Sequence, residues 1–285
     1  MSVYDIHGLT TKGPVRQANE DHILVGRFMK NDGGVSVRIE ADDEYLAVQG
    51  LVCAVADGVG GEAGGATASK LAIQSVDAQF YGVEKTGGLL GKCREALTAA
   101  GQRANQTLLS VQASRPELGR MGCTLSGVCL TSEGFLVFNA GDSRVYRLRD
   151  AILRQLTSDD SVAAIAVSSG AMSAAEAEVS QARHTIVNLV GRQSFQLHVT
   201  DGPEFRDGDA LLVCTDGVHD LVPLEELESL LAQAPEARLM AERLAERAVT
   251  RGGRDNISLI VVRKVAESPP EGGGHAAQPP PMRHV

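Results

Sequence analysis

The sequence predicts an α+β domain in which antiparallel strands and helices form separate layers. Two observations carry that reading. Strand-like runs at Cys123–Leu130, Gly134–Ala140, Arg144–Arg149 and Leu153–Leu156 are joined by short linkers rich in Gly, Asp and Ser, the pattern of an antiparallel meander. Helical periodicity is confined to other blocks: Leu90, Cys93, Leu97, Ala100, Ala104, Leu108 and Val111 step by three or four residues across about Leu89 to Val111. Strand runs kept apart from helix runs argue against a doubly wound parallel sheet.

The remaining elements follow in chain order. Leu51–Ala56 is an uninterrupted apolar run ending at Asp57-Gly58, consistent with a buried strand. A helix is expected after the Gly-rich turn, with Ile73, Val76 and Phe80 on one face. Ser158–His184 is rich in Ala and Ser, with a helix start after Ser173. Leu197–Val199 and Ala210–Thr215 read as strands leading to helices near Leu224–Leu231 and Ala237–Val249, and Ile257–Arg263 closes the body as an apolar strand. The acidic insertion around Asn31–Val48 reads as a solvated loop or hairpin with no chemistry of its own. The folded body is expected to span residues 1–265. Residues 266–285 hold five of the chain's ten prolines and Gly272-Gly273-Gly274, the composition of a disordered tail.

Composition narrows the function classes. At 285 residues, 43% hydrophobic and 22% charged, the chain can bury a core, and wholesale disorder is excluded. The longest apolar runs fall far short of the ~20 residues a membrane helix needs, and Met1–Asp5 shows neither the basic start nor the apolar segment of a signal peptide. A cytoplasmic location is the expectation. A net charge of −9 without any Lys/Arg-rich run has the wrong sign for a nucleic-acid or membrane-surface partner. The five cysteines are odd in number and lack a C-x-x-C pair, so they read as small buried hydrophobes rather than disulfides or a zinc site.

The acids are more informative. Asp57-Gly58, Gly141-Asp142-Ser143-Arg144, Asp216-Gly217 and Asp255-Asn256 each adjoin an apolar strand, and Arg16 with Asn19-Glu20-Asp21 precedes Ile23-Leu24. Strand ends of a packed sheet cluster in space, and converging carboxylates repel one another unless a cation lies between them. Oxygen donors without a Cys or His ligand pattern select Mg²⁺ or Mn²⁺ over Zn²⁺. Taken singly, each Asp-Gly or Asp-Asn could be no more than a turn marker.

These motifs, in the order Arg16-Gln17-Ala18-Asn19-Glu20-Asp21, Asp57-Gly58-Val59-Gly60-Gly61, Gly141-Asp142-Ser143-Arg144, Asp216-Gly217-Val218-His219-Asp220 and Asp255-Asn256-Ile257, closely resemble those of the PP2C-type (PPM) metal-dependent protein serine/threonine phosphatases in their bacterial form. The resemblance spans nearly the whole body. It implies a four-layer α-β-β-α sandwich of two antiparallel sheets flanked by helices, with a mobile flap at about residues 157–191. It implies two Mn²⁺ or Mg²⁺ ions: Asp57 bridging both, Asp216 and Asp255 on one, the Gly58 carbonyl and Glu20 on the other, Asp21 a ligand or supporting neighbour. Asp142 with Asp216 would hold a third, weaker metal. Arg16 matches the phosphate-binding arginine, whose planar fork can grip two phosphate oxygens; the alternative for Arg16 is a surface ion pair with Asp21 or Glu20. The implied reaction is hydrolysis of phosphoserine or phosphothreonine by a metal-bridging hydroxide, by a monomer that acts on phosphorylated proteins and so reverses a bacterial Ser/Thr kinase.

The chain departs from the family pattern where many members have His as general acid, since Val59 stands there. His219 is expected on the surface. Asp159-Asp160-Ser161 and Asn188-Leu189-Val190-Gly191 depart from bacterial patterns in the flap. Two other classes compete. Gly58-Val59-Gly60-Gly61-Glu62-Ala63 fits a dinucleotide fingerprint, but Asp57 would lie beside the pyrophosphate and Asp77 falls inside a helix. A catalytically dead regulator of the same fold is the other, and the filled acid positions give no sign of decay.

Overall fold

The computed structural model describes residues 2–85 and 89–266. The first half of the chain comprises β1 (Ser2–Thr11), β2 (His22–Val25), β3 (Phe28–Lys30), β4 (Gly33–Glu40), α1 (Glu44–Val48), β5 (Leu51–Ala56), β6 (Gly58–Val59), α2 (Glu62–Tyr81) and α3 (Leu89–Ser114). There follow β7 (Gly122–Cys123), β8 (Leu125–Thr131), β9 (Gly134–Ala140), β10 (Arg144–Arg149), β11 (Ile152–Gln155), α4 (Val162–Ser168) and α5 (Ala174–Val179). The last elements are β12 (His198–Asp201), β13 (Ala210–Cys214), α6 (Asp216–His219), α7 (Leu224–Gln233), α8 (Ala237–Thr250) and β14 (Ile257–Ala266).

Two six-stranded antiparallel sheets pack face to face, in the orders β11-β10-β13-β14-β1-β4 and β12-β9-β8-β5-β2-β3. Side-chain alternation explains why the apolar runs are continuous. In β14, Ile260 and Val262 enter the core between the sheets, whereas Ile257, Leu259 and Val261 face α7 and α8. In β5, Cys53 and Val55 enter the inter-sheet core, and Val52, Ala54 and Ala56 meet α2 and α3. Each central strand is thus covered on both faces, and the four layers are α-β-β-α.

Two expectations are corrected. The run from Cys123 to Leu156 is not one meander: β8 and β9 pair in one sheet, but β10 and β11 pair in the other. The chain crosses between sheets at Gly141-Asp142-Ser143, where Gly141 takes φ +108° and an added Cβ would press on Thr124 at 2.7 Å. The acidic insertion is not a loop or hairpin. Gly33–Glu40 forms the edge strand beside β1, and Leu46 of α1 is fully buried. β1, ten residues long and lying between β14 and the edge strand β4, carries no strand expectation from the sequence. Beyond Ala266, the expected tail lies outside the described residues.

Registers bring the motif-bearing strand ends together. His22 lies opposite Ala56, Thr11 opposite Ile257, and Cys214 opposite Leu259. Asp21, Asp57, Asp216 and Asp255 therefore all emerge at one end of the sandwich. Among the described residues, no helix is long and apolar enough to cross a membrane.

Candidate metal centre and substrate cavity

At that end lies a cavity of about 540 Å³ whose lining includes Arg16, Glu20, Asp57, Gly58, Asp142, Asp216 and Asp255. Asp57 follows directly on β5, held by a reciprocal pair: its N–H donates to Thr124 Oγ1 at 2.9 Å, and the Thr124 N–H donates to the Asp57 carbonyl at 2.9 Å. Gly58 tolerates no side chain, because a Cβ would overlap the Gly65 carbonyl of α2. Gly217 is constrained in the same way by the Asn256 carbonyl. A Cβ at Gly65 would overlap the Glu20 carboxylate, so that acid is seated directly on the first turn of α2.

Asp21 is the one acid of the expected set that does not line the cavity. It lies buried behind it, with Oδ2 accepting from Thr215 Oγ1 at 3.0 Å. Asp142 stands at the sheet crossing, and the preceding Gly141 N–H donates to Asp160 Oδ2 at 3.0 Å.

Arg16 forms an ion pair, but with Asp255 at 2.6 Å rather than with Asp21 or Glu20. It lines the cavity nonetheless. His219 is not on the surface: its side chain is 3% exposed, with Nε2 3.1 Å from the Asp142 carbonyl and Nδ1 3.3 Å from Asp220. Val59 faces the cavity and is exposed, so no imidazole stands on that wall.

Two features were missed in the sequence. Asn256 accepts from the Glu20 N–H at 2.8 Å and donates to the carbonyls of Lys12 and Ala18 at 3.0 and 2.9 Å. It ties the loop carrying Arg16 and Glu20 to the start of β14; the sequence marked it only as the neighbour of Asp255. The segment after β11 was the other. Ser161 caps α4 and Ser173 forms a capping box with Glu176 at α5, and only the second start was foreseen. This segment returns through Val190, which exchanges backbone hydrogen bonds with Cys123 at 3.1 and 2.9 Å. Cys123 in turn pairs with Gly58, so the segment is tethered to the cavity floor.

Electrostatics favour a cation here. Burial, then Asp21, Asp216, Asp142 and Asp255, push the Asp57 carboxyl well above the usual carboxylate range. Burial and Asp216 raise Asp21 to about 7. Burial, Asp216 and Asp159 raise Asp142 to about 7. Asp216 is raised as well, chiefly by burial. Asp21 Oδ1 and Asp216 Oδ1 are buried with no hydrogen-bond partner, a cost that a bound cation would offset. Among the described residues, no three His, Cys, Asp or Glu side chains already form one coordination shell. The donors line the cavity instead, which suits hard divalent cations that keep several waters and accept backbone carbonyls.

Two antiparallel sheets between helices, with this acid-lined cavity at one end, define the class. The family model described as Protein phosphatase 2C matches residues 39–251, and the chain belongs to that family. It is 34% identical over 238 residues to the serine/threonine protein phosphatase PstP of Mycobacterium tuberculosis, covering 84% of this chain and 45% of that protein; it thus spans less than half of that relative's length. It is 28% identical over 256 residues to the serine/threonine phosphatase stp of Listeria monocytogenes, covering 90% of this chain and 94% of that one. The solved catalytic domain of PstP in complex with two manganese ions superimposes with a TM-score of 0.72 at 29% identity, covering 93% of this chain and all of that one.

Two outcomes are expected. Asn256→Ala strands the Glu20 N–H and two carbonyls, which should cost about 2 kcal/mol. A lowered denaturant midpoint with faster amide exchange confined to residues 12–20 checks it. In metal-free protein, Asp21 and Asp142 bind protons more tightly folded than unfolded. Their contribution to stability is therefore present below about pH 4 and lost as pH rises through about 7. Thermal melts in chelator should show a shallower decline between pH 4 and 7 for Asp142→Asn than for wild type, and Mn²⁺ should restore the wild-type melting temperature at pH 7.

Proposed function

We propose that this chain is a metal-dependent phosphoprotein phosphatase that hydrolyses phosphoserine and phosphothreonine. One observation carries the reading: Asp57, Gly58, Asp216 and Asp255 come together on one cavity that also holds Arg16. Asp57, Asp216 and Asp255, with Glu20 and the Gly58 carbonyl, would hold two Mn²⁺ or Mg²⁺ ions, supported from behind by Asp21. Asp142 with Asp216 would hold a third, weaker one. When bound, such ions make water nucleophilic near neutral pH and neutralise phosphoryl charge.

The protein's own residues supply the rest. Arg16 orients the phosphoryl group through its planar guanidinium, and the pair with Asp255 fixes the arginine beside the acids. Gly58 and Gly217 let the two Asp-Gly steps pack directly against the Gly65 and Asn256 carbonyls, where a side chain would not fit. Thr124 holds Asp57 in register. Residues 157–191 act as a flap over the cavity, which His184, Thr185, Ile186 and Leu189 line. The catalytic body spans residues 1–265, with residues 266–285 as its tail. The substrates are the phosphorylated products of a Ser/Thr kinase, and the protein works as a cytoplasmic monomer.

The test is phosphate release from phosphopeptides with Mn²⁺, Mg²⁺ or chelator. Release should require metal, and Asp57→Asn should reduce it by more than the roughly hundredfold upper range for losing a supporting partner of a ligand. Activity retained in excess chelator would refute the metal-dependent reading. Arg16→Ala should raise KM by about ten- to a hundredfold with less effect on kcat, as loss of a charged hydrogen bond predicts. Arg16→Lys should recover little of it.

A further inference from the structure

A second cavity of about 410 Å³ adjoins the first, lined by Arg183, Gly217, Asp220, Leu221 and Arg254 together with Arg16, His184, Asp216 and Asp255. The last four also line the first cavity, so the two form one continuous groove. A peptide whose phosphorylated residue sits above Asp57 would place a neighbouring residue in the second cavity.

The charges there are mostly spoken for. Arg16 pairs with Asp255 at 2.6 Å, and Arg183 with Asp220 at 3.1 Å. Asp216 belongs to the acid cluster of the first cavity. Arg254 is different: it is exposed, and no ion pair or side-chain hydrogen bond joins it to any other described residue. Its backbone is nevertheless fixed. The Gly253 N–H donates to the Ala248 carbonyl at 3.1 Å, and Gly253, at φ +50°, lies so close to Pro14 that an added Cβ would meet that ring at 2.6 Å. On the other side, Asp255 is held by Arg16. Arg254 thus carries a cation from a fixed backbone position into the groove of a chain whose net charge is −9. The acidic surface at large repels an acidic peptide, so a local cation decides which flanking side chains enter.

We propose that the second cavity is a specificity subsite for a carboxylate side chain next to the phosphorylated residue, with Arg254 as its selecting charge. The proposal rests on the phosphatase reading above and names the class of phosphopeptide that the site prefers. Leu221 and the Gly217 backbone offer the flanking side chain's stem an uncharged surface, while Arg254 meets its carboxylate.

The experiment compares kcat/KM for two phosphoserine peptides of otherwise identical sequence, one with Glu and one with Lys at the positions flanking phosphoserine. The full chain is used with saturating Mn²⁺. Exposed charge pairs change affinity by about two- to threefold each, and exchanging attraction for repulsion squares that factor. Wild type should therefore favour the Glu peptide by about five- to tenfold, a ratio that falls as salt is raised. Arg254→Gln should bring the ratio close to one, and Arg254→Glu should invert it. Because the ratio is read within each variant, any disturbance of neighbouring Asp255 divides out. A wild-type ratio near one, or a ratio that Arg254→Glu leaves unchanged, overturns the subsite while the phosphatase reading stands. Absence of metal-dependent release from both peptides overturns that reading and the subsite with it.

Discussion

The structure depends on holding several carboxylates near one another against their own repulsion. Burial and mutual repulsion together raise Asp57, Asp21, Asp216 and Asp142, so the protein without metal carries an electrostatic debt at one end. Two tightly packed sheets can sustain it. Asp57 follows β5, Asp216 follows β13 and Asp255 precedes β14, and all three strands run through the inter-sheet core, where residues such as Val55, Val213 and Ile260 are fully buried. The strand ends cannot splay without opening that core. Repulsion is therefore kept for a ligand to relieve, which is how preorganised sites favour divalent ions over water alone.

Precision at the strand ends comes from small residues and amides rather than from further charges. Gly58 and Gly217 sit against backbone carbonyls that exclude any Cβ, which locks the two Asp-Gly steps to α2 and to β14. Asn256 performs the corresponding work for the N-terminal loop, joining Glu20, Ala18 and Lys12 to the same strand end. A side-chain amide suits this place because it offers donors and an acceptor without adding charge to a cluster already overloaded with it. Thr124 and Ser143, hydrogen-bonded to one another at 2.8 Å, join Asp57 to the sheet crossing that carries Asp142.

The sequence showed the site more readily than the connections. Asp57, Asp142, Asp216 and Asp255 were legible because each interrupts or borders an apolar run with a turn-forming neighbour, and a buried strand leaves little other reason for an acid there. The sheet crossing at Gly141 was not legible: a short Gly-Asp-Ser linker is compatible with a hairpin, and only the packing of β10 against β13 decides otherwise. β1 was missed because its burial lacks strict alternation, and its partner β14 lies at the other end of the folded chain. His219 misled for a similar reason. A polar residue two positions after Asp-Gly reads as surface until the return of the chain past Asp142 encloses it.

Val59 itself offers the cavity no proton, and the imidazoles of His219 and His184 are engaged elsewhere. His219 is engaged with the Asp142 carbonyl through Nε2, which keeps that nitrogen away from substrate. His184 lines both cavities, but its Nε2 accepts from Arg183 Nε at 2.9 Å, while Nδ1 lies 3.8 Å from Asp220. The Arg183 guanidinium is itself paired with Asp220, and Arg16 with Asp255, which leaves Arg254 without a side-chain partner among the described residues. Arg183 and His184 are thus engaged with one another and with Asp220 rather than presented to the cavity as a proton donor. The histidine stands where the two cavities join, and its contact with Arg183 ties the walls of the two cavities to one another.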